Sequence, residues 1–125
     1  MPVEAGLTAT VELTVGDDDT ALALKSGNVP VLGTPRVVAL IEEASVKAVA
    51  AELGEGETTV GMRVQLDHLA PIAVGSTVRA EACVEKVEGR RLVFTVSVSD
   101  ASGLVAAGRV TRAVVKIKPF MEKAR

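Results

Sequence analysis

Imidazole chemistry in this chain depends on one residue, because His68 is the only histidine. It closes Thr58–His68, a segment in which apolar and polar residues alternate as in a β-strand. A histidine beside a carboxylate forms a general acid/base pair, since the carboxylate fixes the imidazole tautomer and stabilises the charged ring. The simpler alternative is a structural histidine at the end of a strand. His68 is therefore the first candidate for proton transfer.

Two adjacent glutamates, Glu42 and Glu43, lie in the middle of the apolar segment Gly33–Leu53. A Thr-Pro pair at its start and a glycine just after its end are typical helix boundaries. The segment is apolar nearly all round, which indicates a helix buried on most sides. The two glutamates point about 100° apart. We therefore expect one of them to be exposed and the other to be buried against a partner group.

Three further residues could contribute to a site. Thr34 has the position of a simple helix cap. Gly61 interrupts a strand, which indicates a bulge or a close backbone approach to a ligand. Cys83 is the single cysteine, so neither an internal disulfide nor a multi-cysteine metal site is expected. The sequence contains no phosphate-binding glycine loop, no Gly-x-Ser-x-Gly motif and no metal-ligand spacing, so we expect no metal.

The order of elements places these residues on an α+β domain. Residues 7–15 predict a strand, and the segment 16–33 predicts a loop in which Asp17–Asp19 cap a short helix over Ala21–Leu24. After the long helix, four strands are predicted over residues 58–68, 76–87, 91–99 and 104–117, with Pro119 ending the last one and a frayed tail after it. We expect a single domain over residues 1–125, with the helix packed on an antiparallel sheet.

The composition limits the function classes. The chain has 125 residues, a formal net charge of -2 and no Trp or Tyr, which argues against nucleic acid as a partner. The amino-terminal segment lacks a secretory pattern, and no apolar run approaches the ~20 residues that span a bilayer. We expect a cytoplasmic protein without a membrane partner. The excess apolar helix surface and the open sheet edges predict a homodimer or a higher oligomer.

The chain resembles the hotdog-fold acyl-CoA thioesterases, and within them the fluoroacetyl-CoA thioesterase branch. The resemblance is densest in GTPRVVALIEEA, GMRVQLDHLAPIAVGSTV and VEGRRLVFTVSVSD. Glu42 lies eight positions after Thr34, and His68 lies twenty-six after Glu42, as in that family. The resemblance implies a hotdog fold, in which a curled five-stranded antiparallel sheet wraps one long central helix. It also implies hydrolysis of an acyl-CoA thioester.

The same resemblance assigns roles to the candidate residues. Glu42 would act either as the nucleophile or as the base towards water, and His68 would assist proton transfer. The backbone amide of Gly61 would bind the thioester oxygen, and Thr34 would orient the carboxylate or the water. Eight helical residues span about 12 Å. A joint site of Thr34 and Glu42 would therefore need two subunits.

The segment ALALKSGNVPVLG departs from the fluoroacetate-selective enzyme, because it is shorter and has no aromatic residue. We therefore expect a different short or medium acyl group. Lys86, Arg90 and Arg91 are candidate partners of the CoA phosphates, although they also fit ordinary surface charges. Coenzyme A would be part of the substrate, with no separate cofactor, and an acyl-carrier protein is an open alternative. Two other functions stay open: an enoyl-CoA hydratase or dehydratase, and a non-catalytic acyl-CoA-binding protein.

Overall fold

The fold is a five-stranded antiparallel sheet that curls around one long helix. The computed structural model describes residues 3–125. Its elements are β1 (Thr8–Thr14), α1 (Ala21–Leu24), α2 (Thr34–Val49), β2 (Glu57–His68), β3 (Thr77–Glu88), β4 (Arg91–Asp100), β5 (Gly103–Lys116) and α3 (Ile117–Glu122). The strands lie in the order β1-β3-β4-β5-β2, and all neighbours are antiparallel. The predicted α+β arrangement is confirmed. Within the described residues, no helix is long and apolar enough to cross a membrane.

The core lies between α2 and the inner face of the sheet. Strands β3 and β4 bury alternate residues as predicted: Val78, Ala80, Ala82 and Val84 on one strand, and Leu92, Phe94, Val96 and Val98 on the other. On α2 the buried apolar residues are Val37, Leu40, Ile41, Ala44 and Val49. Each large aliphatic side chain removed from water in this way contributes roughly 1.5–3 kcal/mol to folding. This packing fixes α2 relative to the strands.

The helix is shorter than predicted, and one of its faces is open. Gly33 is the N-cap and lies outside α2, and residues 50–52 form a separate 3₁₀ turn. Val46 is 39% exposed although it lies in the middle of the helix. Glu43 is also exposed. The prediction of a helix buried on most sides therefore holds for the sheet-facing half of α2.

The segment before α2 is attached to the fold at both ends. Asp17–Asp19 were predicted to cap α1. Instead they form a 3₁₀ turn, and Thr20 caps α1 by accepting a hydrogen bond from the backbone N–H of Ala23 at 3.1 Å. Asp19 pairs with Arg36 of α2 at 3.0 Å. At the other end Leu32 is 2% exposed. Between these two attachments, residues 22–30 are exposed to solvent.

Two strand predictions are corrected. Strand β2 contains a bulge between Gly61 and Arg63, so the alternation predicted over Thr58–His68 is interrupted at Met62, which is 50% exposed. Strand β5 ends at Lys116, and the tail predicted as frayed forms α3 in part. Pro119 lies in the first turn of that helix, where its missing N–H leaves no helical hydrogen bond unmade.

Candidate active site

Thr34 and His68 form one half of the site. Thr34 is the first residue of α2, and its Oγ1 lies 2.8 Å from Nδ1 of His68, the last residue of β2. The interpretation of Thr34 as a simple cap is therefore wrong, because its hydroxyl contacts the imidazole. Within the described residues, Nε2 of His68 is buried and has no hydrogen-bond partner. The hydroxyl orients the ring, and Nε2 is the nitrogen whose hydrogen bond is still unmade.

A cavity of about 320 Å³ opens beside this pair. Its wall combines Thr34 and His68 with Val29, Val31 and the turn Leu69–Pro71. Apart from His68, the lining side chains are aliphatic or small, and none of them is Phe, Tyr or Trp. The cavity therefore offers a modest volume of mixed polar and apolar lining next to the imidazole.

Glu42 belongs to a second cluster, built on β2 and β5. Its Oε2 accepts a hydrogen bond of 2.8 Å from Nη1 of Arg112, and its side chain is 32% exposed. Arg112 is only 6% exposed. Thr59 holds the other side of the guanidinium, through its hydroxyl at 2.9 Å from Nε and its carbonyl at 2.8 Å from Nη2. Burial lowers the pKa of Arg112, and the attraction to Glu42 opposes that shift.

Gly61 lies directly against the carboxylate of Glu42. A Cβ atom at position 61 would collide with Oε2 of Glu42 and would also lie 3.4 Å from Nη1 of Arg112. Gly61 pairs with Arg112 across the two strands, immediately before the bulge at Met62. The backbone at Gly61 is exposed. A ligand can therefore approach the carboxylate and this peptide together.

These two clusters are separate within one chain. Glu42 contacts Arg112, and His68 contacts Thr34, so the predicted His–Glu pair does not form inside one subunit. Eight residues of helix, at 1.5 Å each, separate Thr34 from Glu42 by about 12 Å. Seven residues of strand separate Gly61 from His68 by roughly 23 Å. Thr34 and His68 thus lie where α2 begins and β2 ends, whereas Glu42 lies at the middle of α2 against Gly61, near the start of β2.

Arg112 and Thr59 were not predicted from the sequence. Arg112 lies two positions from Val110 and two from Val114, so it shares their core-facing side of β5. A charge at such a position needs a buried partner. The core-facing position of Arg112 was therefore a signal that the sequence contains. It did not identify Glu42 as the partner, because the pairing of Arg112 with Glu42 depends on the register between β2 and β5.

The predicted CoA-binding cations differ in their surroundings. Lys86 lies 3.8 Å from the carboxylate of Glu88. Arg90 is exposed and has Nη1 at 3.4 Å from the carbonyl of Val114. Arg91 is exposed at the start of β4. Among the described residues, no group of three or more metal-ligating side chains occurs.

Comparison with known proteins identifies the family. A model of the family described as "Fluoroacetyl-CoA-specific thioesterase" matches residues 15–118. The chain belongs to this family. A curated fluoroacetyl-CoA thioesterase from Streptantibioticus cattleyicolor is 37% identical over 95 residues, which cover 76% of this chain and 68% of that protein. The predicted enzyme class, a thioester hydrolase, is thereby confirmed.

Solved structures of relatives support the same assignment. A structure of the fluoroacetyl-CoA thioesterase FlK matches with a TM-score of 0.91 and 29% identity, covering 100% of both chains. A thioesterase superfamily member from Thermus thermophilus matches with a TM-score of 0.89 and 31% identity, covering 97% of this chain and 90% of that one. The predicted hotdog fold is confirmed by these matches.

Proposed function

We propose that this thioesterase hydrolyses a short or medium acyl-CoA to the free acid and coenzyme A. In the proposed site, Thr34 and His68 come from one subunit, and Glu42 and Gly61 come from a second copy. The observation that carries this proposal is the division of the site residues into two clusters that lie well apart along the same layer. A two-fold axis places opposite ends of identical surfaces together, because each subunit presents the same patch to the other.

The unpaired edge of the sheet favours such a dimer. Strand β2 is an edge strand of twelve residues, and it carries both Gly61 and His68. An exposed edge of this length is a ready template for pairing with another chain. The exposed face of α2, with Val46, adds apolar surface next to it. Pairing along these elements would cover both surfaces and bring the two clusters into one cleft.

The chemistry follows from the groups available. Either the carboxylate of Glu42 attacks the thioester carbonyl, or it removes a proton from a water molecule that attacks. The carbonyl electron pair moves to oxygen, where the backbone N–H of Gly61 would stabilise the negative charge. When the pair returns, the C–S bond breaks, and His68 delivers a proton to the departing thiolate. In the base route, Glu42 then passes the proton that it took from water to His68, which restores both groups. In the nucleophile route, a water molecule attacks the mixed anhydride while His68 takes one of its protons, and Glu42 leaves as the free carboxylate.

Arg112 and Thr59 prepare the carboxylate for this step. The guanidinium donates a hydrogen bond to one oxygen of Glu42, Oε2, and is itself held by the two hydrogen bonds that it donates to the hydroxyl and the carbonyl of Thr59. A charged carboxylate that is fixed in this way loses little entropy when it reaches the reacting carbonyl. We propose that Arg112 positions Glu42 and does not touch the substrate.

The acyl group would occupy the cavity beside His68. The aliphatic wall formed by Val29, Val31 and Leu69 suits a short or medium alkyl chain. The FlK relatives are named for fluoroacetyl-CoA. The aromatic-free segment before α2 leads us to propose that this chain accepts non-fluorinated acyl groups.

The test measures release of free thiol from a panel of acyl-CoA substrates of increasing chain length. Glu42→Ala and His68→Ala should each abolish release, whereas Glu43→Ala, which changes the exposed neighbouring glutamate, should retain it. Full activity in either of the first two variants would contradict the assignment. Conversion of an enoyl-CoA without thiol release would favour a hydratase, and tight binding without turnover would favour a binding protein.

A further inference from the structure

A second cavity, of about 250 Å³, lies where β5 ends and α3 packs back against the sheet. We call it the Phe120 cavity, and define it by Arg90, Lys116, Phe120 and Lys123. Val114 and Pro119 complete its apolar floor. Its volume fits a ring system with substituents, which is part of a large ligand and not the whole of one.

The charge of this cavity is one-sided. Three of its lining residues are cationic and none is acidic. The ion pairs among the described residues involve Arg36, Lys86, Arg109 and Arg112, so the three cations of the Phe120 cavity have no carboxylate partner there. Unpaired cations around an apolar floor favour an anion that carries a flat apolar group.

Phe120 supplies a surface for such a group. It is one of two phenylalanines in the chain and is 39% exposed, whereas the other, Phe94, is fully buried in the core. An aromatic ring among basic side chains can stack with a nucleobase, and the nearby cations can contact its phosphates. Phe94 is therefore part of the core, whereas the ring of Phe120 is accessible to a ligand.

The distance to Glu42 matches the dimensions of an acyl-CoA. Lys116 lies four residues after Arg112 on the same face of β5, which places it roughly 13 Å further along the strand. Arg112 marks the position of the Glu42 carboxylate. The pantetheine arm of coenzyme A contains about a dozen chain bonds, equivalent to roughly four extended residues. One end of an acyl-CoA can thus lie at Glu42 while the other reaches Lys116.

We infer that the Phe120 cavity binds the adenosine 3′-phosphate 5′-diphosphate end of coenzyme A. The adenine lies on Phe120, and the phosphates contact Lys116 and Lys123, with Arg90 at the rim. This inference rests on the proposed function, because it assumes an acyl-CoA substrate. It also assigns the three predicted cations different roles: Arg90 faces the nucleotide, while Lys86 and Arg91 do not.

A substrate-truncation experiment tests the inference. KM is measured for an acyl-CoA and for the same acyl group on pantetheine, which lacks the nucleotide. The double variant Lys116→Ala/Lys123→Ala should raise KM for the acyl-CoA about tenfold, since each exposed cation contributes up to ~1 kcal/mol. KM for the acyl-pantetheine and both kcat values should not change. Lys118→Ala, which removes a lysine of α3 that does not line the cavity, is the matched control.

Several outcomes would overturn the inference. They are equal KM values for the two substrates in the wild-type enzyme, an unchanged KM for acyl-CoA in the double variant, or an equal effect of Lys118→Ala. An effect seen only with an acyl-carrier protein would assign the cations to protein docking instead.

A binding measurement separates this inference from the proposed function. Calorimetric titration with adenosine 3′,5′-bisphosphate should detect binding to the wild-type protein and to Lys118→Ala. Binding should be lost in the double variant and weakened about tenfold or more in Phe120→Ala. If no thioester is hydrolysed but this pattern holds, the proposed reaction is wrong and the nucleotide site stands. If thioesters are hydrolysed and the pattern fails, the reaction stands and the nucleotide site is wrong.

Discussion

Two inactive variants should restore activity when their subunits are mixed. In Glu42→Ala the Thr34–His68 cluster is intact, and in His68→Ala the Glu42–Gly61 cluster is intact. If each site takes one cluster from each subunit, a mixed dimer contains one complete site and one site that lacks both groups. The experiment depends on the separation of the two clusters, about 12 Å along α2 and roughly 23 Å along β2.

The expected recovery can be calculated. Random exchange of equal amounts gives about half mixed dimers, and one of the two sites in each is complete, so about a quarter of the wild-type sites are restored. The two variants are denatured together, refolded and assayed for free-thiol release from the best acyl-CoA. Each variant refolded alone gives the baseline, and affinity tags of different kinds confirm that mixed dimers form.

A matched pair of variants controls for non-specific recovery. Thr34→Ala and His68→Ala alter the same cluster, so every site in their mixed dimers has one defect. Mixing these two should restore nothing above the activity of the separate variants. Recovery in this control, or no recovery for Glu42→Ala with His68→Ala despite proven mixed dimers, would refute a site shared between subunits. Full activity of a monomer would refute it as well.

Four further substitutions test the local geometry, and the last of them is a control. Gly61→Ala places a Cβ against the carboxylate of Glu42. If Glu42 is the reacting group, we expect kcat to fall about a hundredfold, because misplacing a reacting group by ~1 Å has an effect of this size. An unchanged melting temperature is the control. Arg112→Ala should lower the free energy of unfolding in urea by roughly 2 kcal/mol, because it leaves a half-buried carboxylate without its partner. Gly108→Ala should lower it by about 2 kcal/mol, since the added methyl would collide with the backbone of a neighbouring strand. Gly27→Ala, where the nearest atom is 3.4 Å away, should change it by less than about 0.5 kcal/mol.

The strands and the long helix could be predicted because their patterns are local. In β3 the alternation of buried and exposed residues is complete from Val78 to Val84, and the structure follows it residue by residue. The family resemblance could be stated from the sequence because the spacing of Thr34, Glu42 and His68 agreed with the order of one strand, one helix and four strands. Both the alternation and the spacing can be read from the sequence without knowing which distant segments come into contact.

The remaining features depend on contacts between distant segments. The bulge at Met62 arises from the pairing of β2 with β5 and breaks an alternation that looks regular in the sequence. The partner of Glu42 is Arg112, seventy positions away, and only the strand register brings them together. The hydroxyl of Thr34 could have capped its own helix, but β2 ends where His68 can reach it. In each case tertiary structure selects between local options that the sequence leaves equal.

The way the segment before α2 is attached has a consequence for how selectivity can change. Its ends are fixed by the ion pair of Asp19 with Arg36 and by the buried side chain of Leu32. Between them, Val29 is 54% exposed and still lines the cavity beside His68. A substitution at Val29 can therefore reshape the cavity beside His68 while removing almost no core contact, so the shape of this cavity can change at little cost in the free energy of unfolding.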